Sequence, residues 1–268
     1  MYEVEEVSLG NLSRLYQYAQ KNVHGTKFNL KGFDYPWTLN SYDWKAGEKV
    51  LDVGASYSPF PCFLQETFGC EVWAADDFGM DANDPYWTRD RSPDEYIQSH
   101  PNIKYVLERL GDPGNSSLPA HYFDVIYSIS ALEHVPYALT PAVWKHMDLL
   151  LKPGGKMIHS VDFNFPSNLG LKKVLAGLLF DQFYFIAPKT MRRRYSFATP
   201  LAYTRLVMAT LGMNFRSVKD LEIWNVVFNP DVLTEGYENG YKRLTRDQIP
   251  GFKYQRVGTL LMKLHKIG

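Results

Sequence analysis

At 268 residues the chain is long enough to bury one large core, or one core with additions, and its 45% apolar and 22% charged residues are ordinary globular values. Net charge is zero, yet residues 1–150 hold 11 Lys and Arg against 21 Asp and Glu, while residues 151–268 hold 18 against 8. Cys62 and Cys70 stand without the spacing of a disulfide framework or a zinc site, so no metal is expected. The charge asymmetry points either to an anionic ligand near the later segments or to two halves that intermix on folding, and it is a weak signal for nucleic acid. Residues 1–10 carry Glu3, Glu5 and Glu6 and no apolar signal core. The longest apolar stretch, 174–187, is interrupted by Asp181 and is too short to span a bilayer. A cytoplasmic protein with no transmembrane segment is expected. Aromatic residues are abundant, with 18 Tyr and 16 Phe, which suits a well-packed core or an aromatic-lined pocket.

In chain order, residues 9–23 carry Leu9, Leu12, Leu15, Tyr16, Ala19 and Val23 at helical spacing, behind Ser8 as a cap. Residues 24–44 are rich in Gly, Asn, Pro and aromatics and read as an irregular loop. A first strand over 49–53 is followed by Pro59 and Pro61, a helix over 60–68 and a stop at Gly69. Strands over 70–75, 103–110 and 123–130 follow, with a polar insert at 79–101 that turns helical near 94–99. A helix over 140–151 ends at Lys152-Pro153-Gly154-Gly155 and leads into a fifth strand over 156–161. Strand and helix alternate about every 25 residues, the mark of a parallel α/β sheet. Residues 163–215 break the rhythm with an apolar, basic, mostly helical stretch that includes Arg192, Arg193 and Arg194. Residues 217–227 and 257–265 read as a closing antiparallel pair.

Three strand ends carry chemistry. Asp52-Val53-Gly54 ends the first strand, and a glycine there lets the backbone turn sharply and approach a ligand. Asp76 and Asp77 end the second, where an acid can accept both hydroxyls of a ribose. The fourth is followed by Ala131-Leu132-Glu133-His134. Together these segments resemble the class I S-adenosylmethionine-dependent methyltransferases over residues 49–161. The resemblance implies a seven-stranded, mostly parallel Rossmann-like α/β sheet. It also implies a division into an N-terminal helical cap (1–48), a cofactor-binding core (49–162), a substrate-side insert (163–215) and a terminal strand pair (216–268).

By the same resemblance, the cofactor-binding residues are Asp52, Gly54, Ala55, Ser56, Asp76, Asp77, Phe78, Leu110, Gly111, Asp112 and Ser130. Asp52 and Gly54 lie under the methionine part, Asp76 on the ribose, Asp77 or Phe78 beside the adenine, and Asp112 on the adenine amino group. Ser56 and Ser58 stand where the family has further glycines. A nicotinamide enzyme needs Gly-x-Gly-x-x-Gly at this turn, and only Gly54 is present. A strand end, a turn or a helix brace would each also account for these residues one at a time.

The implied activity is methyl transfer from S-adenosylmethionine to the oxygen or nitrogen of a small organic acceptor, anionic or glycosylated. An oxygen acceptor needs a base, and His134, His159 and Asp162 are the candidates, with no choice among them. The fourth strand is not followed by the Asn/Asp-Pro-Pro-Tyr/Phe motif of amino-group nucleic-acid enzymes, which argues against that substrate. A cofactor-binding scaffold subunit is the remaining alternative, and the oligomeric state is left open. The 163–215 insert, with residues 33–44, is expected to form a lid over the acceptor.

Overall fold

The computed structural model describes residues 1–5, 30–78, 92–166, 200–213 and 255–268. Five parallel strands form the centre of the sheet: β2 (Lys49–Val53), β3 (Glu71–Ala75), β4 (Lys104–Val106), β5 (Phe123–Ile129) and β6 (Leu151–Pro166). Among the described residues two more strands extend it, β1 (Tyr2–Val4) and β7 (Gln255–Lys266). The strand order is β1-β7-β6-β5-β2-β3-β4, with β7 antiparallel to both of its neighbours.

The central strands are mostly apolar, with Asp52, Asp124 and Ser128 as interruptions, because both sheet faces are covered. On one face Leu51, Val53, Ile126 and Met157 pack with Trp144 and Met147 of α4 (Thr140–Leu150) and Tyr203 of α5 (Pro200–Thr210). On the other, Val50, Val72, Val125, Tyr127 and Ile158 pack with Tyr35 and Trp37 of α1 (Leu30–Asn40) and Phe60 and Leu64 of α2 (Phe60–Phe68). Helix α2 lies where its signals place it, ending at Gly69 in the left-handed conformation (φ 71°). The polar insert does become helical, as α3 (Pro93–Ser99). From β2 the chain passes first to β3 and α3 on one side and then back to β5 on the other. The strand order therefore reverses beside β2, and in open α/β sheets ligands bind outside the carboxyl ends of the strands at such a point.

Three expectations need correcting. Residues 30–40 are a helix rather than loop, because Trp37 and Tyr35 are buried against β5 and α2, and Tyr35 stacks on Phe60 at 5.3 Å. That burial outweighs the poor helix propensity of Gly32 and Pro36. The 1–48 segment does not begin as a helical cap: Tyr2–Val4 adds a strand to β7, with Tyr2 buried and its hydroxyl donating to Asp148 Oδ1 at 2.6 Å. The strand expected over 103–110 is only Lys104–Val106, since the chain turns away to build the Glu108–Leu118 loop. Of the closing pair expected over 217–227 and 257–265, only the second segment lies among the described residues, in β7, which runs antiparallel to β6 from Lys156↔His265 to Pro166↔Gln255. The leading helix over 9–23, the strand over 217–227, most of the 163–215 insert and Arg192, Arg193 and Arg194 lie outside the described residues. No helix among the described residues is long and apolar enough to cross a membrane.

Candidate active site

The turn after β2 is built for close approach. Gly54 holds φ 76°, and a Cβ placed on it would lie 2.4 Å from the Cβ of Ala131, so the turns following β2 and β5 touch. Ala55 is buried. Ser56 takes φ 46°, the left-handed conformation that a glycine adopts without strain. Ser58 has a different use. Its hydroxyl accepts the Phe60 N–H at 3.2 Å, at the start of α2, and lies 3.1 Å from the Tyr35 hydroxyl. Ser56 thus takes the glycine-like conformation at a cost in strain, while Ser58 braces the turn through its contacts to the Phe60 N–H and the Tyr35 hydroxyl. Asp52, near the end of β2, is buried. Burial, and then the Asp52 charge, push the neighbouring Tyr127 phenol well above its ordinary value.

At the end of β3, Asp76 reaches back to that turn. Its Oδ2 accepts the Ser56 N–H at 2.8 Å and its Oδ1 the Phe78 N–H at 2.5 Å. Burial raises the Asp76 pKa, and the two backbone donors only partly offset this. Each oxygen keeps a second lone pair for a ligand hydroxyl. Phe78 is buried with φ 49° and meets Tyr57 edge-on at 5.1 Å, making an aromatic wall beside Asp76. Asp77 is held by Arg109 in an ion pair. Leu110 is buried, and Gly111 donates its N–H to His146 Nδ1 at 3.1 Å. Asp112 is exposed and accepts from Asn115 Nδ2 at 2.6 Å.

The turn after β5 supplies the third wall. Ser130 holds φ 49°, its N–H donating to the Ser160 carbonyl at 3.0 Å and its hydroxyl to Asp34 Oδ2 at 2.9 Å. Left-handed non-glycine residues therefore follow all three strands at their carboxyl ends (Ser56, Phe78 and Ser130), and such strain gathers at ligand sites. His134 is largely exposed on the 3-10 turn Leu132–His134, with Nε2 4.0 Å from Glu133 Oε1. His159 lies elsewhere, fully buried in β6 beside Ser128 and edge-on to Trp144 at 4.8 Å. Burial alone pushes its pKa down to about 3. Asp162 pairs with Thr259, and its side chain lies outside the described residues.

Gly54, Ala55, Ser56, Asp76, Phe78 and Ser130 are thus gathered on one sheet edge, while His159 is set into the sheet. Sequence reasoning missed Asp34 and Tyr35, because residues 24–44 carry no helical period and their contacts to Ser130 and Ser58 are tertiary.

These residues fit S-adenosylmethionine. The glycine turn has no room for a side chain, as a backbone that lies against a ligand requires, and Asp76 stands 20 residues beyond Ser56 with acceptor capacity for a ribose diol. Over 117 residues the chain is 31% identical to phosphoethanolamine N-methyltransferase 1 of Zea mays, a stretch that is 43% of this chain and only 21% of that relative. The fold is shared with a structure described as a sarcosine dimethylglycine methyltransferase of Galdieria sulphuraria, at 16% identity, over 88% of this chain and 85% of that one, with a TM-score of 0.50. The methyltransferase-domain family model matches residues 38–211, most of the chain, and the chain therefore belongs to that family, as a class I S-adenosylmethionine-dependent methyltransferase.

Proposed function

We propose that this methyltransferase acts on the nitrogen of a small amine. The single observation that carries the acceptor class is the 31% identity to an enzyme named for N-methylation of phosphoethanolamine. S-adenosylmethionine supplies an electrophilic methyl group on a positively charged sulfur. What remains for the chain is alignment and exclusion of water, which can account for much of such a rate enhancement. In this reading Asp76 holds the ribose, Gly54 and Ala55 let the methionine part lie against the turn, and Leu110, Gly111 and Asp112 flank the adenine. In the same reading His134, exposed beside the Ala131 turn, is the base that takes a proton from the acceptor. His159 is neutral and enclosed, and we assign it to packing. The scaffold alternative rested on the missing glycines, and Ser56 adopting φ 46° weakens it.

The test is methyl transfer from labelled S-adenosylmethionine to matched panels of small amines, alcohols and carboxylates, with phosphoethanolamine among the amines. An N-methyl product is expected. Turnover confined to oxygen acceptors, or binding of S-adenosylhomocysteine without turnover on any panel, would overturn the reading.

A further inference from the structure

We propose that His146 is a positioning residue for the cofactor's base, holding the Gly111 backbone so that the turn from Leu110 to Asp112 selects adenine; this rests on the reading above that Leu110, Gly111 and Asp112 flank that ring. His146 lies on α4 and is buried. Its Nδ1 accepts the Gly111 N–H at 3.1 Å. A ring that accepts at Nδ1 is neutral and carries its proton on Nε2. Burial favours the same neutral form, lowering the His146 pKa against the pull of the Glu108 and Asp112 charges. Nε2 is buried and has no partner among the described residues, so the hydrogen bond of this ring goes to Gly111.

The place of that bond is what points to the base. Gly111 holds φ 123°, and a Cβ on it would lie 3.4 Å from Val143 Cγ2 and 3.7 Å from Ala142 Cβ, so the backbone of the turn rests on α4. The residues before Gly111 are tied elsewhere. Arg109 pairs with Asp77, the neighbour of the ribose acceptor Asp76. Glu108 Oε2 accepts the Ser117 N–H at 3.0 Å and the Ser117 hydroxyl at 3.1 Å, closing the loop beyond the turn. Arg109 therefore anchors the turn on the ribose side, and His146 fixes the peptide between Leu110 and Gly111. That peptide sets how buried Leu110 and exposed Asp112 stand to each other, and these are the groups assigned to the ring and to its amino group. A site that hydrogen-bonds an amino group discriminates strongly against a base lacking it, and the discrimination fades when the acceptor is no longer held in place.

A bland role is that His146 only satisfies a buried N–H and steadies the core. Two ligands separate the roles: S-adenosylhomocysteine and S-inosylhomocysteine, which differ only in the base, an amino group against an oxygen. The measurements, on the full chain, are the Kd of each ligand by calorimetry and the Tm, for the parent, His146→Asn and His146→Leu. The parent should bind the adenosyl ligand at least about tenfold more tightly. In His146→Asn the amide oxygen stands near the place of Nδ1 and can accept the Gly111 N–H, so the preference should stay within about twofold of the parent's. His146→Leu removes the acceptor. It should raise the adenosyl Kd about tenfold, the size of one hydrogen bond, leave the inosyl Kd within about twofold, and so erase the preference. A leucine variant that keeps the parent's preference, with both constants unchanged or both raised alike, overturns this assignment alone. So does an asparagine variant that loses the preference as fully as leucine. A parent that binds the two ligands equally, or neither, overturns the adenine reading of the turn and this assignment with it. If His146→Leu shows no thermal transition, His146→Gln carries the test, because its longer side chain moves the acceptor away from Gly111; the parent's preference persisting there overturns the assignment.

Discussion

Gly54 is the residue at which a single methyl group should matter most. Both the positive φ and the 2.4 Å approach to Ala131 oppose a side chain. Gly54→Ala should cost roughly 1–3 kcal/mol of stability, from strain and overpacking, and should abolish measurable S-adenosylhomocysteine binding. Thermal melting and calorimetry check the two effects, and an alanine variant that binds normally would show that the turn does not meet the ligand. Asp76→Ala should weaken that binding by roughly 1–3 kcal/mol, the range for lost charge-assisted hydrogen bonds, and should also release the Ser56 and Phe78 amides. Asp77→Ala should cost less, since Arg109 already occupies its carboxylate. His159 makes a different prediction. Its folded pKa is near 3 and an unfolded histidine titrates at 6.5, so between these values the unfolded state holds one more proton. The stability His159 contributes is complete above pH 6.5 and falls as pH drops, by about 2 kcal/mol at pH 5. His146, also shifted down by burial, acts in the same direction. Urea titrations of the parent and of His159→Phe at pH 7 and pH 5 should therefore diverge in slope with pH; parallel losses would mean that His159 is already protonated in the folded state.

At the scale of elements, what could be read from sequence follows from where each element's stabilisation lies. Strands β2, β3 and β5 were legible because both of their faces are largely buried, so most positions are apolar and the run shows in the chain despite Asp52, Asp124 and Ser128. Helix α2 was legible from Pro61 at its start and Gly69 at its end. Helix α1 was not: Gly32 and Pro36 read as loop, and only the fold reveals that Trp37 is 1% exposed beneath it. Strand β1 has three residues, too few for a period, and is held by what Tyr2 meets at Asp148. The site divides in the same way. Gly54 and Asp76 could be named because residue type and strand-end position together define their chemistry, whereas Asp34 gains its meaning only from Ser130, 96 residues away. If tertiary packing makes α1, then Trp37→Ala should cost about 3–5 kcal/mol, as for a large core aromatic, and should loosen Asp34 and Tyr35 together. The readout is amide exchange across α1, with protection falling while β2 and β5 stay protected; uniform loss would show that α1 is no separate unit.

Across the whole molecule, the acidic first half and the basic second half meet in the sheet. Glu5, just beyond β1, takes Lys156 of β6 at 2.6 Å and Lys263 of β7 at 3.3 Å. Lys266 meets Asp148 at 2.8 Å, and Lys152 meets Asp124 at 2.6 Å. In each pair an acid from residues 1–150 neutralises a base from residues 151–268, so part of the asymmetry is used in tying the two ends of the chain together. Burial alone would raise the Glu5 pKa, but Lys156 and Lys263 outweigh it and hold the group below its ordinary value. The folded state therefore keeps Glu5 ionised to lower pH than the unfolded state does. The stability it contributes is complete above the unfolded carboxylate value near 4.5 and is lost as pH falls through the lower folded value. Glu5→Gln should thus destabilise the protein at pH 7 by about 1 kcal/mol, a modest figure because these groups are partly solvated. The difference should shrink below pH 4 and in about 1 M salt, where the Debye length falls to roughly 3 Å. Melting curves of both proteins across that pH and salt range decide the matter. A Glu5→Gln difference that persisted at acid pH would mean that the carboxylate acts through its shape and hydrogen bonds rather than through its charge.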